Sequence, residues 1–241
     1  MAGPQVLRPD APGRFVILCD HASNRIPPEL GDLGLTSGDL SRHIAWDIGA
    51  ARIAETLSEI FDSPAILSEV SRLVVDCNRH PDAPDLIPEK SDGTYIPGNQ
   101  HLSKASKAVR LEQWFMPYHA AIESVLDARS GAGLPSFVLS IHSMTTRLAG
   151  VFRPWKIALS SYRDRTHVEP VLEHLRALQC GEVGDNQPYD LDPAVDYSVP
   201  FHALRRDLPH IQVEFRQDEV SHAAGQSGWA RRFAGALRNS L

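Results

Sequence analysis

Two histidines and a glutamate of this 241-residue chain stand where apolar runs meet polar sequence, and their chemistry suits a metal site. His21 and His142 each follow a continuous apolar run, and Glu214 lies inside a third run. Neutral imidazole and carboxylate are ligands that a catalytic zinc ion favours, usually three from the protein with one position left open for water. Zinc lowers the pKa of bound water to about 7, so a separate carboxylate can take a proton from it at neutral pH. One such histidine is usually structural, but two of them with a glutamate on a third run form a candidate site.

Asn78 and Arg79 follow another apolar run, which ends at Val75. An arginine guanidinium is a planar fork that binds a carboxylate through two parallel hydrogen bonds. The formal net charge of the chain is −6, so an anionic substrate needs a local cation of this kind. The same two residues could also form a plain turn, and the sequence leaves that alternative open.

Apolar runs and helical periodicities predict the elements that hold these residues. Continuous apolar runs predict buried strands, and apolar residues three and four positions apart predict helices. The predicted strands cover residues 15–19, 65–67, 73–75, 137–141, 157–159 and 211–215, and the predicted helices cover residues 44–61, 103–128, 168–178 and 229–241. Residues 80–101 are expected to form a long loop that is either a lid over the site or an ordinary surface loop.

This alternation of strands and helices predicts the class of fold. It favours an α/β protein with a mixed, mainly parallel central sheet and helices on both faces. In such sheets ligands gather at the carboxyl ends of the strands. The polar residues that follow the predicted strands are therefore expected to share one edge of the sheet.

The composition limits the class of protein further. With 42% hydrophobic and 22% charged residues the chain is globular, and its length fits a single domain over residues 1–241 with a loose segment at residues 1–13. A net charge of −6 argues against a nucleic-acid partner, and no apolar stretch reaches the roughly 18 residues of a membrane helix. Three cysteines without close pairing, Cys19, Cys77 and Cys180, and no signal-peptide pattern favour a cytoplasmic protein.

Several motifs along the chain carry a resemblance to a known family. They are Cys19-Asp20-His21-Ala22-Ser23-Asn24-Arg25-Ile26-Pro27, His43-Ile44-Ala45-Trp46-Asp47-Ile48-Gly49, Arg72-Leu73-Val74-Val75-Asp76-Cys77-Asn78-Arg79, Pro117-Tyr118-His119, Ile141-His142-Ser143-Met144, Asp185-Asn186-Gln187-Pro188-Tyr189 and Val213-Glu214-Phe215-Arg216-Gln217-Asp218. In this order they resemble the N-formylglutamate amidohydrolase family, over residues 16–220. The resemblance implies a metal-dependent hydrolase that cleaves N-formyl-L-glutamate to formate and L-glutamate. It also implies a fold distantly similar to that of the zinc carboxypeptidases (phosphorylase/hydrolase-like).

The likeness to carboxypeptidases implies roles for the matching residues. His21 and His142 match two histidine ligands of a single zinc ion. Asn78 and Arg79 match an Asn-Arg pair that binds the substrate carboxylate, and Glu214 matches the general base.

One position departs from that pattern and leaves the third metal ligand open. The carboxypeptidase motif places a glutamate three residues after its first histidine, whereas this chain has Asn24 there. An amide oxygen is a poor zinc ligand, so Asp47 is the preferred substitute. Asp20 and His119 are the reserve candidates.

Four further residues complete the expected site. Arg72 is expected to stabilise the charge that develops on the acyl oxygen. His202 and Tyr189 are expected to orient the leaving group or the acyl oxygen. Arg216 is expected to contact the substrate and to project on the same face of its strand as Glu214. The alternative is that Glu214 and Arg216 form a surface ion pair.

Other functions stay open at this point. The same residues could serve a peptidase or amidase that acts on short peptides or cell-wall fragments. The departure at Asn24 also fits a binding protein for metal or amino acids that has lost turnover. The expected partner is a small N-acyl amino acid, and the sequence does not indicate an oligomeric state.

Overall fold

The computed structural model describes residues 3–179 and 181–241, and Cys180 lies outside them. Within these residues one seven-stranded sheet and two short hairpins form the β-structure. The strands are β1 (Gln5–Leu7), β2 (Phe15–Cys19), β3 (Ala65–Leu67), β4 (Lys90–Ser91), β5 (Thr94–Tyr95), β6 (Phe137–Met144), β7 (Arg147–Leu148), β8 (Val151–Phe152), β9 (Ile157–Ser160), β10 (Val183–Asp185) and β11 (His210–Arg216). The helices are α1 (Ser37–Leu40), α2 (Ala50–Phe61), α3 (Lys104–Arg110), α4 (Met116–Gly131), α5 (Val168–Ala177), α6 (Ser198–His202), α7 (Gln217–Val220) and α8 (Ala223–Ser240).

The sheet is mixed and mainly parallel, as the sequence predicts. Its strand order is β1-β3-β2-β6-β11-β9-β10. The four central strands, β3, β2, β6 and β11, run parallel to one another. β1 and β9 run antiparallel to their central neighbours, and β10 is parallel to β9. The carboxyl ends of β2, β6 and β11 therefore lie at the same edge.

Helices cover both faces of the sheet, so its central strands are buried on both sides. In β2, Phe15 and Ile17 pack with α2, α5 and α8 on one face, whereas Val16 and Leu18 pack with α4 on the other. This two-sided burial explains why the central strands are continuous apolar runs rather than alternating ones. Among the described residues no helix is long and apolar enough to cross a membrane.

Two predicted elements differ in the structure. The helix predicted over residues 44–61 begins only at Ala50, after turns at residues 44–49. The strand predicted over residues 73–75 is wrong, because these residues form a buried turn in which the Val74 N–H donates to the Ser71 carbonyl at 2.9 Å. Their apolar side chains instead build a third core cluster, so burial rather than strand pairing explains the run.

The ends of other elements also differ from the prediction. Helices α3 and α4 are joined by a π-helical turn at Leu111–Phe115 within the predicted helix 103–128. Helix α8 begins six residues before the predicted start at Trp229. The segment expected to be loose pairs with the sheet over Gln5–Leu7, where β1 lies against β3. The loop 80–101 contains the β4–β5 hairpin.

Candidate active site

The parallel strands bring distant residues to one edge of the sheet. His21 follows β2 by two residues, and His142 lies inside β6, which continues to Met144. Glu214 lies in β11 directly beside His142 in the parallel register. Residues that are 121 and 72 positions apart in the chain thus become neighbours, since His142 is 121 residues after His21 and Glu214 is 72 after His142.

His21, Asp47 and His142 form a buried cluster that could hold a metal ion. Each offers one ligand atom, and these atoms all lie within 4.8 Å of one another. Asp47 Oδ2 lies 3.3 Å from His21 Nδ1 and 3.0 Å from His142 Nδ1. The two imidazole ring centroids are 5.3 Å apart. Both rings therefore present Nδ1 to the Asp47 carboxylate.

The segment before α2 holds Asp47 at this position. Its backbone N–H donates to the His21 carbonyl at 2.9 Å, which ties it to the end of β2. Gly49 then adopts a φ of +84°, and a Cβ there would meet the Val220 carbonyl oxygen at 2.3 Å. Glycine is needed at this close approach, because any side chain would push α2 away from the site.

The far nitrogen of each histidine has its own partner. His21 Nε2 donates to Asp76 Oδ1 at 2.8 Å, and Arg72 holds the other oxygen of Asp76 through Nε at 2.9 Å and Nη2 at 2.7 Å. His142 Nε2 lies 2.9 Å from Ser140 Oγ. Histidines that bind metal usually present one nitrogen to the ion while a carboxylate or hydroxyl orients the other. The donor set of this cluster therefore fits a divalent metal ion.

Charges around the cluster set its ionisation. Burial acts to raise the pKa of Asp47, but His21 and His142 outweigh it, so that this pKa is lowered and the carboxylate stays ionised. Burial acts to lower the pKa of His142, but hydrogen bonds to Asp20 and Asp47 raise it well above its usual value. The site therefore holds an anionic carboxylate ready to bind a cation.

Glu214 adds a second acid with the opposite shift. The side chain is buried, and its Oε2 has no hydrogen-bond partner among the described residues. Burial raises the pKa of Glu214 to about 7 despite the nearby cations. Two carboxylates in one site, one held ionised and one able to exchange a proton near neutral pH, are typical of acid–base catalysis.

A cleft with a volume of about 460 Å³ opens over these residues. Most of the site residues predicted from the sequence line it, namely His21, Asp47, Arg72, Asn78, Arg79, His142, Tyr189 and Glu214. No residue of the loop 80–101 lines this cleft; residues 142–153 and 188–196 form much of its wall. The lid alternative for that loop has no support in the structure.

Asn78 and Arg79 are held differently within the cleft. The Asn78 amide donates to Asp196 Oδ1 at 2.9 Å and accepts from the backbone N–H groups of Tyr197 and Ser198 at 3.0 Å each. Its amide is thus engaged in fixing the chain before α6. Arg79 donates from Nε to Asp85 Oδ2 at 2.9 Å and from Nη1 to the Asn78 carbonyl at 2.9 Å.

The structure does not bring His202 and Arg216 into the cleft. His202 has no exposed surface and hydrogen-bonds to His119 at 2.8 Å on the α4 side of the sheet. Arg216 follows Glu214 by two residues, but its guanidinium turns to Asp218 and to the carbonyls of Arg153 and Pro154. Both side chains are therefore occupied in packing the fold.

The other candidates for the third ligand have other partners, and of the two histidines Asp20 Oδ2 approaches only His142, at 3.4 Å from its Nε2. The Asn24 amide donates to the Leu40 carbonyl at 2.9 Å. Asp20 accepts from Tyr118 Oη at 2.8 Å and Ser198 Oγ at 2.7 Å, and His119 binds the Cys77 carbonyl at 3.0 Å. Among the predicted alternatives, Asp47 is the one whose carboxylate faces both histidines.

Two residues of the site were missed by the sequence reasoning. Asp76 orients His21. Its position in the motif, two residues before Asn78, was the sequence signal that could have identified it. Arg153 lines the cleft directly after β8. Its flanking residues, Phe152 and Pro154, are apolar, and a charge in such a setting was the signal available.

These features define an α/β protein with a candidate metallohydrolase site at the carboxyl edge of its sheet. The family model of N-formylglutamate amidohydrolase matches residues 13–220 of the chain. The chain belongs to the N-formylglutamate amidohydrolase family. Among proteins of curated function, none matches it in sequence.

Solved structures share the fold of this chain. The gene product Atu2144 from Agrobacterium tumefaciens is 32% identical with a TM-score of 0.93, over 99% of this chain and 96% of that protein. N-formylglutamate amidohydrolase from Ralstonia eutropha JMP134 is 18% identical with a TM-score of 0.70, over 100% and 97%. A metallo-carboxypeptidase from Burkholderia cenocepacia is 11% identical with a TM-score of 0.40, over 100% of this chain and 65% of that protein. At that score the carboxypeptidase-like site layout stays a prediction.

Proposed function

We propose that this chain is a metal-dependent amidohydrolase that cleaves N-formyl-L-glutamate to formate and L-glutamate. The family supports a hydrolase of this kind. The observation that carries the proposal is the cluster of His21, Asp47 and His142, whose ligand atoms lie within 4.8 Å of one another beside Glu214.

In this proposal His21 and His142 hold the metal through Nδ1, and Asp47 holds it through its carboxylate. The proposed ion is zinc, which suits two imidazoles and a carboxylate. When bound, such an ion polarises the acyl oxygen and lowers the pKa of water. Asp76 and Ser140 keep the two rings turned towards the ion through their hydrogen bonds.

Glu214 moves the proton in the proposed reaction. Its carboxylate takes a proton from the water as the water oxygen bonds to the formyl carbon. It then gives that proton to the amide nitrogen as the carbon–nitrogen bond breaks, so formate and the free amine leave. A pKa near 7, caused mainly by burial, suits a group that accepts and returns a proton at neutral pH.

Two arginines support the substrate in this proposal. Arg79 binds the α-carboxylate next to the reacting bond. Arg72, which Asp76 holds at 2.7 Å, stabilises the negative charge on the acyl oxygen. Tyr189 lines the same cleft and contacts the bound substrate.

The direct test is release of formate and L-glutamate from N-formyl-L-glutamate before and after chelation. We expect turnover to disappear when metal analysis shows the protein to be free of metal, and to return when zinc is added. Full turnover by verified metal-free protein contradicts metal dependence. Zinc bound without release of either product would support the binding protein instead.

Glu214→Gln tests the general base. The substitution keeps the shape of the side chain but removes its ability to accept a proton, so we expect kcat to fall by about 10² to 10⁴-fold. Metal content should stay at the wild-type level. Glu173→Gln on the exposed face of α5 is the matched control and should change neither. Full activity of Glu214→Gln with metal bound contradicts the assignment.

A further inference from the structure

Arg153 is a buried cation in the wall of the cleft. It follows β8 directly and is only 6% exposed, and it lines the cleft together with Tyr189 and Glu214. The established family and the proposed reaction give it no role. A buried arginine needs a reason, because removing a charge from water costs free energy unless a partner compensates it.

The structure holds this guanidinium in a fixed orientation. Nη2 donates to Tyr189 Oη, and the guanidinium lies 4.8 Å from the centroid of the Tyr189 ring. The Arg153 backbone is tied on both sides, since its N–H donates to the Thr146 carbonyl at 2.9 Å and its carbonyl accepts from Arg216 at 3.3 Å. The Tyr189 carbonyl in turn accepts from Ser160 Oγ at 2.7 Å. A prearranged donor of this kind costs little further ordering when it binds a ligand.

Arg153 lacks the anion that its neighbours have. Arg72 pairs with Asp76 at 2.7 Å, Arg79 with Asp85 at 2.9 Å and Arg216 with Asp218 at 2.8 Å. Over residues 3–179 and 181–241, no side-chain carboxylate lies within 4.0 Å of the Arg153 guanidinium. The guanidinium therefore faces the cleft without a direct ion-pair partner, although its charge acts on Glu214 at longer range. A ligand carboxylate would supply the direct partner.

The positions of the two candidate anchors assign them to different carboxylates. The α-carboxylate of an N-acyl amino acid is two bonds from the amide nitrogen, so it must bind near the reacting groups. Arg79 is linked to the candidate metal site through Asp76. Its backbone N–H donates to the Asp76 carbonyl at 3.2 Å, and the Asp76 side chain binds His21. Arg153 belongs to a different segment, directly after β8, and contacts Tyr189, which is 45% exposed. It therefore suits the more distant carboxylate.

We propose that Arg153 binds the side-chain carboxylate of the substrate and so selects N-acyl dicarboxylic amino acids over neutral ones. This inference rests on the proposed function, for which it names the residue that sets the preference for a second carboxylate. Tyr189 acts with it by holding the planar fork towards the cleft.

The test compares two substrates of the same shape and different charge, N-formyl-L-glutamate and N-formyl-L-glutamine. We expect Arg153→Gln to lower kcat/KM for the glutamate substrate by about 100-fold and for the glutamine substrate by less than about threefold. Arg153→Lys keeps the charge without the fork and should lose about tenfold on the glutamate substrate alone. Arg147→Gln, at an exposed position of the neighbouring β7, is the control and should change neither value. Equal losses on both substrates in the two Arg153 variants overturn the proposal.

A binding measurement separates this inference from the proposed reaction. Titration calorimetry measures the affinity of wild-type protein and of the Arg153 variants for L-glutamate and L-glutamine. If no substrate is turned over but Arg153→Gln still loses the preference for L-glutamate, the proposed reaction fails and the role of Arg153 stands. A wild-type protein that binds both amino acids equally overturns the role of Arg153, whatever its turnover. Melting curves show whether each variant is folded.

Discussion

The protein has two buried histidine pairs, and only one of them has surroundings that suit a metal ion. The rings of His21 and His142 have centroids 5.3 Å apart, and those of His119 and His202 have centroids 5.1 Å apart. His21, His119 and His142 lie in the motifs that resemble the family, and His202 is a candidate site residue of the sequence analysis. Ring spacing alone does not distinguish them.

The partners of the two pairs do distinguish them. His21 and His142 face Asp47, and Asp76 and Asp20 lie behind them, so that the pKa of each histidine is raised although burial acts to lower it. His119 Nε2 donates to the Cys77 carbonyl, and His202 Nε2 donates to His119 Nδ1. Burial lowers the pKa of His119 to about 4 and that of His202 to about 3, so this second pair stays neutral.

The comparison shows what makes a histidine pair suitable for a cation. Carboxylates compensate a positive charge in the first pair, and hydrogen bonds between neutral rings pack the second pair between α4 and α6. Among the described residues no carboxylate forms a hydrogen bond or an ion pair with either ring of the second pair, so a metal ion there would lack a direct carboxylate ligand. The first pair is therefore the metal site that we propose, and the second is part of the core.

His142→Ala gives the largest expected effect. Losing one of three ligands should remove bound metal and lower kcat/KM for N-formyl-L-glutamate by at least about 10³-fold. Metal analysis and formate release measure the two effects. His202→Gln is the matched variant in the other pair, and it should keep full metal content with activity within about threefold of the wild type. If both variants lose metal equally, the distinction between the pairs is wrong.

Asp76→Asn should have an intermediate effect. The substitution keeps the size of the side chain but weakens its hydrogen bond to His21 Nε2 and its ion pair with Arg72. We expect metal affinity to fall by about 10- to 100-fold. Metal titration in competition with a chelator of known affinity measures this. Asp85→Asn, which removes the exposed partner of Arg79, is the control and should keep wild-type metal affinity. Unchanged metal affinity in Asp76→Asn would contradict the role of Asp76 in supporting the metal site.

His202→Gln should have the smallest effect, on the pH dependence of stability. The pKa of His202 is lowered to about 3 by burial, so the unfolded chain binds a proton below about pH 6.5 that the folded chain does not. The wild-type protein should therefore lose stability as the pH falls from 7 to 5, by about 2 kcal/mol more than the variant does. Urea unfolding at the two pH values measures the difference. Equal pH dependence in both proteins contradicts a neutral buried His202.

The sequence predicted the sheet better than the turns. Strands such as β2 and β6 are continuous apolar runs because both faces are buried, and this pattern identified them. Residues 73–75 are equally apolar but form a turn, since their burial comes from a separate core cluster and not from strand pairing. The start of α2 was placed too early because the apolar residues before Ala50 pack in turns.

The sequence also predicted most of the candidate site but not its electrostatics. His21, His142 and Glu214 were found because each follows or lies within an apolar run, and these runs end at one edge of the sheet. Asp47 was one of several candidates for the third position, and only the three-dimensional arrangement showed that its carboxylate faces both histidines. Arg153 was missed because its apolar flanking residues are a weak signal, and only the three-dimensional structure shows that it is buried in the cleft without a direct ion-pair partner among the described residues.

The most direct test of the account is an anomalous-scattering map from crystals of the zinc-loaded protein. The account predicts one strong peak at about 2.0–2.2 Å from Nδ1 of His21, Nδ1 of His142 and a carboxylate oxygen of Asp47. A map with ordered side chains at these three positions and the zinc peak elsewhere, such as beside His119 and His202, contradicts it.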